Sequence, residues 1–546
     1  MTVAAAPELD AITREVLANA FKEIAEEMAV VEYRSSFSPV IRDMLDFCCA
    51  IFDGKGRMLA SSEMIPAQLG LMHFALGEAL ADFGGAMDPG DVCICNHPYR
   101  GGSHTPDVQI FTPIHVDAEL IGYAGSIAHH IDIGGRVPGT RSARNTELFQ
   151  EGILLPPVKL VEGGRRVEPL WATLRANVRD PHRTLGDLEA QIAACRRGSL
   201  RLAELVGRFS VAQVTAAMDA LLEETSQRTQ AVLRSWPDTV VEVEGFMDHD
   251  GFDPSTPIRV AARVQARDGE LYLDFDGTSP QVPGALNVPW ASTHAGAYFA
   301  VRAFLGDEVP HNEGMMRHIH VSAPEGTILR PKSPAAVSAR HLTVQRQAEV
   351  LCRALGELLP DRAVASSHAS FPSIVMRATD PRSGRVTLLS DMVGGGGGAR
   401  RDAPGDSGID TYTSNCACLP AEVAELEYPW RVERVALVDG SGGAGRHQGG
   451  MAIRRDYRLL ADEALVTYYL EQSDPRFASA GAEGGGPGGS AAVRVRRAGT
   501  DEWTLVEASK GELRLRRGDA ISFQSAGGGG FGPPDAGPQT TEAQTR

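Results

Sequence analysis

No stretch of eighteen or more apolar residues occurs in this chain of 546 residues, so no segment is long enough to read as a membrane-spanning helix. The opening residues, MTVAAAPELDAITREV, carry neither the basic start nor the apolar run of a secretory leader, and a soluble, cytoplasmic protein is expected. Basic residues are in deficit, with 53 Lys and Arg against 70 Asp and Glu, leaving a formal charge of −17. That balance opposes broad contact with a phosphate backbone and excludes nucleic acid as a partner. Aromatics are sparse at 6%, and no single cage of rings stands out to name a substrate. The 8 cysteines, including Cys48-Cys49, Cys93 with Cys95 and Cys416 with Cys418, lack the spacing of a disulfide framework and read as reduced thiols. Cys93 and Cys95 would share one side of a strand, but the paired spacing of a zinc ribbon is missing. Neither a phosphate loop nor a strand followed by a dinucleotide fingerprint is present, so a self-contained nucleotide site is not supported.

What is present divides into three parts, because a chain of this length exceeds one ordinary core. An N-terminal domain over residues 1–235 opens with an amphipathic helix across 8–31, its apolar positions at Ile12, Val16, Leu17, Ala20, Phe21, Ile24 and Met28. A hairpin follows, Phe47 to Phe52 and Arg57 to Ser61 around Asp53-Gly54-Lys55-Gly56. A loop rich in glycine and arginine from Gly134 to Asn145 is long enough to suggest a functional or mobile segment. Two helical patterns fill 183–234, with breaks expected near Gly198 and Phe209. A middle α/β domain, 236–370, alternates at Ile258, Val260, Ala262 and Val264, turns at Asp268-Gly269 and turns helical around 293–305 and 341–357. A glycine-rich C-terminal domain, 371–532, carries runs at Gly394–Gly398, Gly440–Arg446, Gly484–Gly489 and Gly527–Gly530. Such runs mark tight turns and close backbone approach, and Gly394–Arg400 is a candidate oxyanion cradle. A disordered tail is expected over 533–546. The fold class is therefore mixed α/β (α+β), multi-domain, with many short hairpins and glycine-rich loops.

The densest chemistry lies between Asn96 and Asp132, NHPYRGGSHTPDVQIFTPIHVDAELIGYAGSIAHHID. Val108 to Val116 alternates as a strand, Leu120 to Ala128 is a second apolar run, and Asp117-Ala118 is the turn between them. Pairing the runs as a hairpin sets opposite one another residues whose numbers sum to about 235, which brings His129 back against Pro106 and Asp107. His104, Asp107 and His129 then share one end of the hairpin. Two imidazoles and a carboxylate suit a divalent transition metal, and few protein ligands leave positions open for substrate. Histidines at strand ends also serve as plain hydrogen-bonded residues, and His97, His130 and Asp132 compete as ligands or as partners that orient them.

Four stretches together identify a family: Arg42-Asp-Met-Leu-Asp46-Phe47, Asn96 to Asp107, His129-His130-Ile-Asp132-Ile-Gly-Gly135 and Glu151 to Lys159. With Asn177-Val-Arg179, Gly186 to Gln191, Asn312-Glu-Gly314, Gly440 to Arg446 and Gly527 to Gly532, the chain resembles the hydantoinase B / oxoprolinase family over nearly its whole length. That family includes subunits of N-methylhydantoinase, 5-oxoprolinase, caprolactamase and the acetone and acetophenone carboxylases. The resemblance implies a metal, zinc or else manganese, on Asp46, His104, Asp107 and His129, with His130 and Asp132 as proton-transfer residues. It also implies an ATP-dependent cyclic amide hydrolase acting on a lactam, hydantoin or 5-oxoproline-like ring. A hydantoinase A-type ATPase subunit would bind ATP with magnesium and phosphorylate the carbonyl, making a hetero-oligomer. A ketone carboxylase subunit and a non-catalytic scaffold are the alternatives. Two departures from the family pattern are visible: His97 stands where many members carry Asp, and Gly484–Gly489 replaces a more aromatic stretch.

Overall fold

The computed structural model describes residues 9–84 and 87–534, without the side chain of Leu69. Helix α1 (Ala11–Ser35) starts where the Asp10 carboxylate accepts the Thr13 N–H, an N-cap that sets the first turn. It runs a turn beyond the expected end, and Ile12 is exposed rather than part of the buried stripe of Leu17, Phe21, Ile24 and Met28. The short helix α2 (Pro39–Arg42) leads into the hairpin of β1 (Phe47–Asp53) and β2 (Met58–Ser61). Asp53 closes that turn by accepting the N–H groups of Lys55 and Arg57. Then come α3 (Pro66–Leu69), α4 (Met72–Asp82), β3 (Val92–Cys95), β4 (Asp107–Val116), β5 (Glu119–His129), β6 (Val158–Glu162) and β7 (Arg165–Arg166).

The seven strands form one antiparallel sheet in the order β2-β1-β5-β4-β3-β6-β7. Both residues of the Asp117-Ala118 turn have positive φ, 49° and 67°, the conformation whose twist suits a two-residue hairpin. A register shift after Ile114 moves the pairing by one, and from there it runs to Asp107 opposite His129. Helices α5 (Glu168–Asn177), α6 (Pro181–Phe209) and α7 (Val211–Arg234) follow, with α1 and α6 burying one face of the sheet. The other face enters a second core, which is why β1 is buried at every position. The break expected at Gly198 does not occur. A Cβ there would meet Met28 Cγ and Ile51 Cδ1 at 3.1 Å, so the glycine serves close packing of α6 and leaves the helix intact.

The middle part pairs β8 (Val240–Met247), β9 (Ile258–Arg267) and β10 (Glu270–Asp274) as a meander, and α8 (Trp290–Leu305) and α9 (Glu313–Met316) carry the chain to β11 (Ile319–Ser322), parallel to β10. Helix α10 (Arg340–Leu358) lies nearly wholly buried against β8, β9 and α8. The last part holds two antiparallel sheets. Strands β12 (Ser373–Thr379) and β13 (Val386–Met392), helix α11 (Ala421–Glu427), and strands β14 (Trp430–Leu437), β15 (Ile453–Leu459), β16 (Glu463–Tyr469), β17 (Ala492–Arg496), β18 (Thr504–Val506), β19 (Lys510–Arg516) and β20 (Ala520–Gln524) make them. Their orders are β13-β12-β16-β19 and β14-β15-β20-β17-β18. One continuous core runs from Val40 through the middle sheet to Ala526, so these parts share their packing.

The glycine runs lie side by side, backbone against backbone. Gly450 N–H donates to Gly397 O at 2.8 Å, Gly528 N–H to Gly450 O at 3.0 Å, and Gly530 N–H to Gly486 O at 2.9 Å. The oxyanion cradle expected at Gly394–Arg400 is overturned by the same pattern. The N–H groups of Gly395, Gly396 and Gly397 are spent on the carbonyls of Ile409, Ala526 and Asp406, and that of Gly398 on Ser367 Oγ. Of the tail expected over 533–546, residues 535–546 lie outside the described residues. Among the described residues no single helix is long and apolar enough to cross a membrane.

Candidate metal centre

The end of the β4/β5 hairpin brings His104, Asp107 and His129 together, with one donor atom from each lying within 4.8 Å of the others. Asp107 and His129 face one another because they are paired in register, and His104 comes from the turn just before β4. All three are buried, at 2%, 1% and 5% exposure. His104 Nε2, Asp107 Oδ1 and His129 Nδ1 are buried without any hydrogen-bond partner. Unpaired polar atoms in such a place are costly unless a ligand completes them, and two nitrogens with carboxylate oxygen form a donor set that suits zinc or manganese.

Asp46, just before β1, lines the same small chamber of about 40 Å³ without joining that group of three, and accepts a hydrogen bond from Gln68 Nε2 at 3.0 Å. Burial and the neighbouring Asp107 push its carboxyl up to about 7. For Asp107 burial acts the same way but is outweighed by His104 and Arg340, which hold it well below the usual carboxylate range. Burial lowers His104 to about 4 and takes His129 well below the ordinary imidazole value, so both are neutral, as ligands must be.

Four further side chains of the chamber bear on its chemistry, and sequence spacing did not point to them. Arg340, the first residue of α10, donates to Asp107 Oδ2 at 2.6 Å and to Ser103 Oγ at 2.9 Å. His341 follows it, half-buried, with both ring nitrogens buried and neither partnered. Arg141, from the Gly134–Asn145 loop, donates to Ser373 Oγ and to His129 Nε2, 2.9 Å away; a neutral imidazole accepting there carries its proton on Nδ1, so a metal on this ring would require Arg141 to release His129. Cys416 closes the wall from the C-terminal part. The length of the 134–145 loop was the only sequence signal for any of these.

The proton-transfer role expected of His130 and Asp132 does not agree with their placement. Neighbouring strand residues face opposite sides, so His130 points away from His129 and bonds Gln191 Oε1 on α6 at 2.9 Å. Asp132 is a clamp, accepting from the N–H groups of Gly134 and Arg179 and from the Arg179 guanidinium. His97 is half-buried, its Nδ1 accepting the Tyr99 N–H at 3.2 Å, and it does not line the chamber. Cys93 and Cys95 pack into the apolar core. A much larger cavity, about 690 Å³, contains none of the candidate ligands. Segments 64–70 and 413–416 separate the two spaces: Met64, Pro66 and Asn415 face the large one, and Ile65, Gln68 and Ser414 face the chamber.

Behind the sheet, Glu32 Oε2 accepts from Ser126 Oγ at 2.8 Å and from Cys49 Sγ, and burial raises its carboxyl to about 8. A carboxyl raised on folding lends stability that is complete below its ordinary value of 4.5 and is lost as pH rises through about 8. Stability to urea is therefore expected to fall by a few kcal/mol between pH 5 and pH 9, at about 1.4 kcal/mol per pH unit while the carboxyl stays neutral in the folded state. Glu32→Gln should flatten that slope, and an unchanged slope in the variant would remove Glu32 as its source.

Residues 10–534 match the family model described as Hydantoinase B/oxoprolinase. The chain belongs to the hydantoinase B/oxoprolinase family. It is 33% identical to an uncharacterized protein of Methanocaldococcus jannaschii, over 96% of this chain and 91% of that one. It is 30% identical to a putative B-type subunit of a D-/L-hydantoinase from a Pseudomonas species, over 96% and 90%. The 5-oxoprolinase of Saccharomyces cerevisiae is 29% identical across 96% of this chain, which spans only 42% of that longer protein. In structure this family member is similar to the ATP-dependent caprolactamase from Pseudomonas jessenii, with a TM-score of 0.90 at 26% identity, covering 96% of this chain and 92% of that one. Acetone carboxylase shares the fold, with a TM-score of 0.88 at 18% identity, covering 96% of this chain and 76% of that one.

Proposed function

We propose that this chain is the metal-dependent ring-opening subunit of an ATP-dependent cyclic amide hydrolase. The observation that carries the reading is the convergence of His104, Asp107 and His129, each of which keeps one buried polar atom without a partner. Asp46 serves as a fourth ligand from across the chamber, steadied by Gln68, and Arg340 fixes the orientation of Asp107. A divalent ion, zinc or manganese, would supply Lewis-acid polarisation and activation of water at neutral pH. The side chains keep bulk solvent out, since all four candidate ligands are buried.

Amide resonance makes direct attack on a lactam slow, and phosphorylation of the carbonyl oxygen removes that resonance. The chain has no phosphate loop, which supports placing ATP and magnesium on a separate hydantoinase A-type subunit in a hetero-oligomer. The greater length of the yeast 5-oxoprolinase fits one chain carrying both halves. The likeness to caprolactamase, higher in identity and in the share of the neighbour's chain covered than that to acetone carboxylase, favours ring opening over ketone carboxylation.

Reconstitution with the ATPase subunit decides between them. ATP consumption coupled to ring opening of a lactam, hydantoin or 5-oxoproline, with no need for bicarbonate, is the expected result. ATP consumption that requires both a ketone and bicarbonate would replace this reading with the carboxylase one. Partner activity indifferent to the presence of this chain would leave it a scaffold.

A further inference from the structure

Among the described residues four arginines are buried: Arg141, Arg340, Arg346 and Arg455. Three of them have a carboxylate partner, Arg340 with Asp107 at 2.6 Å, Arg346 with Glu349 at 3.1 Å and Arg455 with Asp391 at 3.0 Å. Arg141 forms no ion pair among the described residues. Its two terminal nitrogens donate to neutral acceptors, Ser373 Oγ and His129 Nε2, and its Nε, like those of the other three, has no partner. Asp46, across the chamber, spends an oxygen on Gln68 instead. Asp46 and Asp107 lie near enough to act on Arg141, but neither forms an ion pair with it; a buried cation with no carboxylate in contact is unfavourable, and a guanidinium has the planar fork that receives carboxylate or phosphate oxygens. The chamber of about 40 Å³ offers room for about three water-sized groups. With a metal ion in place, that leaves space for about two oxygens of an anionic group.

We propose that Arg141 is the anion-binding residue of the chamber, holding an oxyanion that the substrate carries, either a carboxylate of its own or a phosphoryl group attached to it. The assignment rests on the chamber being the reaction site. It explains why the long 134–145 loop is drawn inward: Asn145 Nδ2 bonds Thr140 O, and the loop delivers a charged side chain to the buried end of β5. It also sets a substrate requirement, since a neutral ring would need an anionic group attached before it could be held here.

Metal-loaded protein should be titrated with inorganic phosphate and with acetate at constant ionic strength, following the thermal midpoint. Wild type is expected to be stabilised by at least one of the two, with binding weakened about ten-fold or more in Arg141→Gln and partly kept in Arg141→Lys. Preference for phosphate assigns the phosphoryl group, and preference for acetate assigns the carboxylate. Binding to neither by wild type, or unchanged binding in Arg141→Gln, overturns the proposal. Metal content is measured on the same samples: loss of metal from Arg141→Gln would make Arg141 a positioning residue for His129 and also overturn it. Wild type that takes up no metal would defeat the ring-opening reading instead, and phosphate or acetate binding by Arg141 would still be measurable.

Discussion

His104→Ala and Asp107→Asn should each yield protein without bound divalent metal and without ATP-driven ring opening. Each change removes a donor from a group of only three that lie within 4.8 Å of one another. Losing a ligand should cost more than the roughly 10–100-fold that loss of an orienting partner costs. The variants should differ in stability, and that difference is informative. Among the described residues Asp107 is the only carboxylate paired with buried Arg340, so Asp107→Ala strands a guanidinium and should cost about 3–5 kcal/mol. Asp107→Asn keeps a carbonyl acceptor for Arg340 and should unfold closer to wild type, while His104→Ala removes the His104 Nδ1 contact with Asp107 Oδ2 at 2.9 Å but leaves that carboxylate its Arg340 partner. Metal analysis beside urea denaturation therefore separates loss of the ion from loss of the fold. Full metal content and full turnover in either His104→Ala or Asp107→Asn would show that the site lies elsewhere.

The N-terminal half of this centre could be read from the sequence because its geometry is local. Alternation from Val108, a two-residue turn and a return to His129 together define a hairpin, and a hairpin defines which residues meet at its open end. The same period-two rule assigns His129 and His130 to opposite faces, so the His-His pair could have been divided on that ground alone. Asp46 had no such signal, being some sixty residues upstream of Asp107 by number, and came from family resemblance. Arg340 and His341 enter from the start of a helix more than two hundred residues along the chain. Only the shared core of the three parts brings them to the hairpin, and no periodicity encodes that. Gly198 failed as a helix breaker for a related reason: propensity is a weak bias, and the contact with Met28 and Ile51 outweighs it.

Gly396→Ala is expected to be among the most damaging single changes in the protein, although it adds only one methyl group. A Cβ at Gly396 would sit within 3.0 Å of Gly450 O and Gly528 N, both backbone atoms of neighbouring glycine runs. A flexible side chain could rotate away from such a contact, but these backbones are tied to one another, Gly450 to Gly397 and Gly528 to Gly450. Making room means separating the runs and breaking their shared hydrogen bonds, so the cost should exceed the usual 1–3 kcal/mol of overpacking and reach about 4 kcal/mol or more. Gly486→Ala is the matched control. Its Cβ would meet Ala444 N and O at 3.4 Å, an ordinary contact, and its backbone does not require the left-handed region. Gly486→Ala should therefore leave stability unchanged or raise it by up to about 1 kcal/mol, because alanine restricts the unfolded chain at a position whose folded conformation it can adopt. Soluble yield and urea midpoint measured on both variants test the argument. Equal, small effects would mean that the runs can part without penalty, and the inter-run hydrogen bonds would then contribute little to holding the C-terminal part together.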